Sequence, residues 1–63
     1  MSFGENLKRL REEKGIEQKQ LAEDVFITKQ MLCGIEAGVK MPSLNVALAL
    51  AQRLDTDVET LAK

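Results

Sequence analysis

The side chains with chemistry to offer cluster in one stretch: Gln18, Lys19, Thr28, Lys29, Gln30, Cys33 and Lys40. Their repertoire is narrow. Ammonium groups donate and attract anions, amides donate and accept together, and hydroxyls do both singly. The 63 residues contain no histidine, so the commonest general base is missing. The single cysteine, Cys33, has no disulfide partner and no fellow ligands for a metal. No credible nucleophile–base pair and no glycine-rich phosphate loop accompanies it. What remains is recognition by charge and hydrogen bonds. No enzymatic activity, cofactor or metal is expected. A lone thiol fits a reducing cytoplasm. No apolar run nears the roughly 20 residues that span a bilayer, so no membrane partner is expected. Lys8, Arg9 and Arg11 interrupt the apolar spacing near the start, against a secretion signal.

These groups need short helices to position them. Length and 44% apolar content suit one small domain, residues 1–63, near the lower size limit for independent folding. Helical periodicity runs throughout and no segment alternates like a strand. Ser2 and Glu5 form a capping box for a first helix from Phe3 to Lys14, with Phe3, Leu7 and Leu10 inward and Gly15 as its stop. A second helix, Gln18 to Val25, buries Leu21, Ala22 and Val25. Thr28 caps a third, which ends near Ala37–Gly38 and turns Leu32 and Ile35 inward, with Met31 at the edge. Pro42–Ser43 opens a fourth helix with a stripe of Leu44, Ala47, Leu48, Ala51 and Leu54. Val46, Ala49 and Leu50 widen that stripe almost all round. Asp57 caps a short fifth helix carrying Val58 and Leu61.

The net charge is −1, which argues weakly against a polyanionic partner. Distribution matters more. Between Val25 and Leu54 the charges are Lys29, Glu36, Lys40 and Arg53, so one acid stands against three cations. Apart from Glu5, the other acids crowd into Glu12–Asp24 and Asp55–Glu59. One face is therefore expected to be positive. A helix that buries Leu32 and Ile35 shows Lys29, Gln30, Cys33, Gly34 and Ala37 outward. Such a helix suits the DNA major groove, where lysine meets guanine acceptors and glutamine the N6/N7 edge of adenine.

At this point the chain resembles the phage-repressor-type helix-turn-helix family, the lambda repressor, Cro and Xre group. The resemblance is carried by Leu7–Arg11, Gln18 with Leu21–Ala22, Thr28–Lys29–Gln30, Ile35–Glu36–Ala37–Gly38, Pro42–Ser43 and Leu54. It implies an all-α fold of five short helices around one small core, helices two and three forming the helix-turn-helix. It implies a sequence-specific regulator of transcription that binds a palindromic operator in double-stranded DNA as a homodimer and represses by blocking polymerase. Residue by residue, it implies base contacts from Lys29, Gln30, Cys33 and Gly34. Phosphate contacts fall to Gln18, Lys19, Thr28, Ala37 and Lys40, with Gln18 also bracing helix three. Arg11 and Glu36 match a partly buried ion pair. The dimer surface is expected on helices four and five, at Val46, Leu50, Val58 and Leu61. The rival reading is a protein-interaction or antitoxin-like module that kept this fold.

Three residues depart from the family pattern. Phe26 stands where a glycine with φ > 0 is usual, a costly place for a bulky side chain, and is expected either to reshape the turn or to bear strain; its ring is expected to fold onto the core, with an exposed contact for a partner as the alternative. Glu17 replaces a Ser or Thr cap. Gly34 removes a base-reading side chain and costs about 1 kcal/mol relative to alanine inside a helix.

Overall fold

The computed structural model describes residues 2–63. Five helices follow one another: α1 (Phe3–Glu13), α2 (Gln18–Asp24), α3 (Lys29–Glu36), α4 (Leu44–Arg53) and α5 (Val58–Ala62). No strand occurs among the described residues. The all-α expectation holds, with boundaries within a residue or so.

Local signals explain the boundaries. Ser2 and Glu5 form the reciprocal capping box. Thr28, Ser43 and Asp57 each accept a hydrogen bond from the backbone N–H three residues on, at Met31, Val46 and Thr60. Each cap satisfies an orphan donor in a helix too short to be stable alone. Glu17 caps α2 with no side-chain hydrogen bond. Gly15 (φ 69°) and Gly38 (φ 80°) turn the chain after α1 and α3.

The core is aliphatic: Leu7, Leu21, Ala22, Val25, Leu32, Ile35, Leu50, Ala51, Leu54 and Leu61. Every helix contributes, so α3 is held from several sides. Two local contacts fix the packing of α1. Buried Asn6 donates from Nδ2 to the Leu61 carbonyl at 2.8 Å, tying α1 to α5. Gly4 lets α1 lie directly on the end of α3. A Cβ there would collide with the Ile35 carbonyl oxygen and sit 2.7 Å from that of Glu36.

The structure corrects three expectations. Phe26 does not fold onto the core; it is 94% exposed. Its backbone keeps the left-handed turn, with φ 62°, so the strained alternative holds. That conformation points its ring outward, while neighbouring Val25 and Ile27 take the inward places. On α4 the core stripe is Ala47, Leu50, Ala51 and Leu54, leaving Leu44 and Leu48 exposed. A helix apolar almost all round does not reveal its inner face by pattern. The same packing removes Leu50 and Leu61 from the expected dimer surface. Both are completely buried and present nothing to a partner chain. Val46 and Val58 are half-buried and keep some outer surface.

Candidate nucleic-acid interface

α3 divides cleanly into two faces. Leu32, Ile35 and Glu36 are buried, whereas Lys29, Gln30, Cys33 and Ala37 are exposed. Gln30, Cys33, Gly34 and Ala37 are spaced i, i+3, i+4, i+7 and line one outward strip. Thr28 and Lys29 stand at its N-terminal end. Lys19 is exposed on α2, and Lys40 is exposed in the loop beyond α3.

The orientation of this face is set by one charged node. Arg11 of α1 grips Glu36 of α3 with both ends of its fork, Nε to Oε2 at 2.7 Å and Nη2 to Oε1 at 3.2 Å. Arg11 Nη1 also donates to the Ile16 carbonyl at 2.7 Å. Gln18, the first residue of α2, donates from Nε2 to Glu36 Oε1 at 2.9 Å. The expected ion pair is thus present, and the expected brace from Gln18 closes on the same carboxylate. Hydrogen bonding to Glu36 makes the Arg11 guanidinium still harder to deprotonate. α1, the loop after it, α2 and α3 all meet at these three side chains. A primary amide has a second N–H, so Gln18 keeps a donor free for an external anion.

Pairing also decides which cations are available outside. Arg53 is bound to Asp24 at 2.5 Å and Arg9 to Glu13 at 3.5 Å. Sequence spacing gave no sign of the Arg53–Asp24 pair, because it joins α4 to α2 across 29 positions. Arg53 is consequently not a free charge. Lys19, Lys29 and Lys40 take part in no ion pair among the described residues. Sequence reasoning also missed Asn6 and Gly4, which hold α1 against its neighbours. No cluster of metal-ligating side chains occurs among the described residues. No helix among them is long and apolar enough to cross a membrane.

Residues 7–61 match the helix-turn-helix family. The chain belongs to that family, in its phage-repressor branch. Its relatives are DNA-binding regulators of transcription. Solved structures agree. The restriction-modification controller protein C.AhdI from Aeromonas hydrophila is 36% identical, with a TM-score of 0.87 over 94% of this chain and 89% of that one. SinR, a master regulator of biofilm formation solved in complex with DNA, is 33% identical, with a TM-score of 0.86 over 94% of this chain and 95% of that one. The P22 c2 repressor, solved on a synthetic operator, is 24% identical and shares the fold, with a TM-score of 0.95 over 100% and 96%. No curated protein matches the chain.

Proposed function

We propose that this helix-turn-helix protein is a sequence-specific transcriptional repressor that lays α3 in the major groove of a palindromic operator and binds as a homodimer. The observation that carries the reading is the split of α3. Its outward face sets Lys29 and Gln30 at the N-terminal end before the small residues Cys33, Gly34 and Ala37 and carries no acid, and its only carboxylate, Glu36, is buried and neutralised by Arg11. In this reading Lys29 and Gln30 meet base edges first, at the N-terminal end of the helix. Gln18, Lys19, Thr28 and Ala37 lie against phosphates. Cys33 and Gly34 lie close to the bases and add little hydrogen bonding of their own. The protein works in the cytoplasm, and the 63 residues act as one DNA-binding domain without enzymatic activity.

A module of this size buries too little DNA to be selective alone, so two copies are required. Their reading helices would sit about 34 Å apart. Val46 and Val58 are the expected contact residues that retain surface.

Selection of genomic fragments followed by footprinting tests the proposal. The expected result is a palindrome whose half-sites lie about one helical turn apart. Lys29→Ala and Gln30→Ala should each cost about 1–3 kcal/mol and relax preference at defined bases. An unchanged footprint and affinity in both variants overturns the assignment of α3. A second reading, a protein-interaction module, draws on the exposed Phe26, Val39, Met41 and Leu44 and on the acidic pI of about 5.3. Salt separates the two. A DNA reader with several phosphate contacts loses affinity steeply as salt rises, whereas an apolar docking surface does not.

A further inference from the structure

Gly34 lies in the outward strip of α3 and has no side chain, yet it is only half-exposed. Lys40 covers it. A Cβ built on Gly34 would meet Lys40 Cδ at 3.0 Å, Cγ at 3.1 Å and Cε at 3.5 Å. The loop is pinned at the same place: the backbone N–H groups of Val39 and Lys40 both donate to the Gly34 carbonyl, at 2.9 and 3.1 Å. The stem of Lys40 therefore fills the space that a side chain at position 34 would occupy. Its ammonium lies one bond beyond Cε and joins no ion pair among the described residues.

We propose that Lys40 reads a base edge on behalf of Gly34, and so is a specificity-determining residue in place of the phosphate contact expected from the sequence. The inference rests on the DNA-binding reading above. An ammonium is a pure donor, so the base it selects is guanine, through O6 and N7. Glycine at 34 is what admits the stem in this position, because even a methyl group there would crowd two of its carbons, Cδ and Cγ. The long side chain is anchored by its own backbone and by the helix beneath it, which limits the orientations its charged end can sample.

The test is selection from random-sequence DNA with the full chain and three variants: Lys40→Met, Gly34→Ala and the double change. Methionine keeps an apolar stem and removes the charge. Lys40→Met should lose guanine preference at one base pair per half-site, by about 10- to 100-fold, and keep every other preference. Gly34→Ala should weaken preference at that same base pair, by displacing the stem, and the double variant should lose nothing further there. Uniform weakening on all sequences, with the salt slope reduced by about one, identifies Lys40 as a phosphate contact and overturns the inference. So does an operator preference that survives Lys40→Met intact, or a Gly34→Ala effect at a different base pair. If the unaltered chain selects no sequence at all, the DNA-binding reading fails and the inference falls with it. If the unaltered chain selects an operator, the variants judge the inference alone.

Discussion

Glu36 is the carboxylate on which α1, α2 and α3 converge, and its removal gives a sharp test of how the reading helix is held. Its side chain is 3% exposed and that of Arg11 is 10% exposed. Glu36→Ala deletes three hydrogen bonds at once, two from Arg11 and one from Gln18. The charge left behind decides the magnitude. A guanidinium held out of water without its counter-ion costs about 3–5 kcal/mol. A domain of this length has a total stability of only about 3–9 kcal/mol. Glu36→Ala should therefore lose about half or more of the stability. Each kcal/mol moves the melting temperature of so small a domain by about 4–8 °C, so the drop should be on the order of 20 °C. Thermal and urea unfolding followed by circular dichroism read it directly. Replacing both partners by apolar residues, Arg11→Met with Glu36→Leu, should recover most of the loss, since no charge then remains buried. A loss below about 1 kcal/mol for Glu36→Ala would mean that water relieves Arg11, contrary to its burial. A double variant as unstable as the single one would show that the node acts by geometry and not by charge compensation.

Phe26→Asn should raise stability by about 1 kcal/mol, because asparagine tolerates φ 62° and an exposed phenylalanine contributes little burial; an unchanged or lower unfolding midpoint refutes the strain. Gly4→Ala should lower stability by about 1–3 kcal/mol despite alanine's better helix propensity, since α1 must move off the carbonyls ending α3; a stabilised variant shows that the contact relaxes freely. Acid should destabilise the fold in a defined window. Glu5 is held below its ordinary 4.5 by hydrogen bonds from Ser2, and Asp24 and Asp57 below their ordinary 3.8 by Arg53 and by the Thr60 N–H respectively. A depressed folded pKa contributes stability that is complete above the ordinary value and is lost as pH falls through the folded one. Melting temperature should thus be insensitive to these groups above about pH 5 and fall below about pH 4, and Glu5→Gln, Asp24→Asn and Asp57→Asn together should flatten that fall.

Helix order, caps and most of the core were legible because they depend on near neighbours. Ser2 with Glu5, Thr28, Ser43 and Asp57 each act within one helical turn, and such signals survive in a linear sequence. Leu7, Leu21, Leu32 and Ile35 follow from a period that only one face satisfies. Where the pattern was degenerate, reading failed. α4 offers apolar residues at nearly every angle, and only packing separates Leu50, fully buried, from the exposed Leu44 and Leu48. Phe26 shows the reverse failure. Its apolar character suggested burial, but a left-handed backbone inside a fixed turn determines where the side chain points. The node at Glu36 was legible through family resemblance, whereas Asp24–Arg53 and Lys40 over Gly34 are tertiary contacts with no local signature.

The division of charge bears on how this protein reads DNA. Every arginine is engaged within the molecule: Arg9 with Glu13, Arg11 with Glu36 and Arg53 with Asp24. Arginine suits that work, since its planar fork binds carboxylates at two points and keeps its charge when buried. The cations outside these pairs are all lysines, and Lys19, Lys29 and Lys40 flank or cover the helix-turn-helix. A net charge of −1 thus coexists with unpaired lysines around α3, because the acids are either bound in ion pairs or lie outside α3. The outward face of α3 carries no fork for bidentate recognition of guanine. A lysine ammonium is a flexible point charge, and it discriminates bases only where something fixes its direction. Lys29 extends from the first turn of α3 with no such support, while Lys40 lies along Gly34 and is anchored at its backbone. The two lysines should accordingly differ in degree: a looser base preference at Lys29, beside the amide of Gln30, and a sharper one at Lys40, whose stem is held.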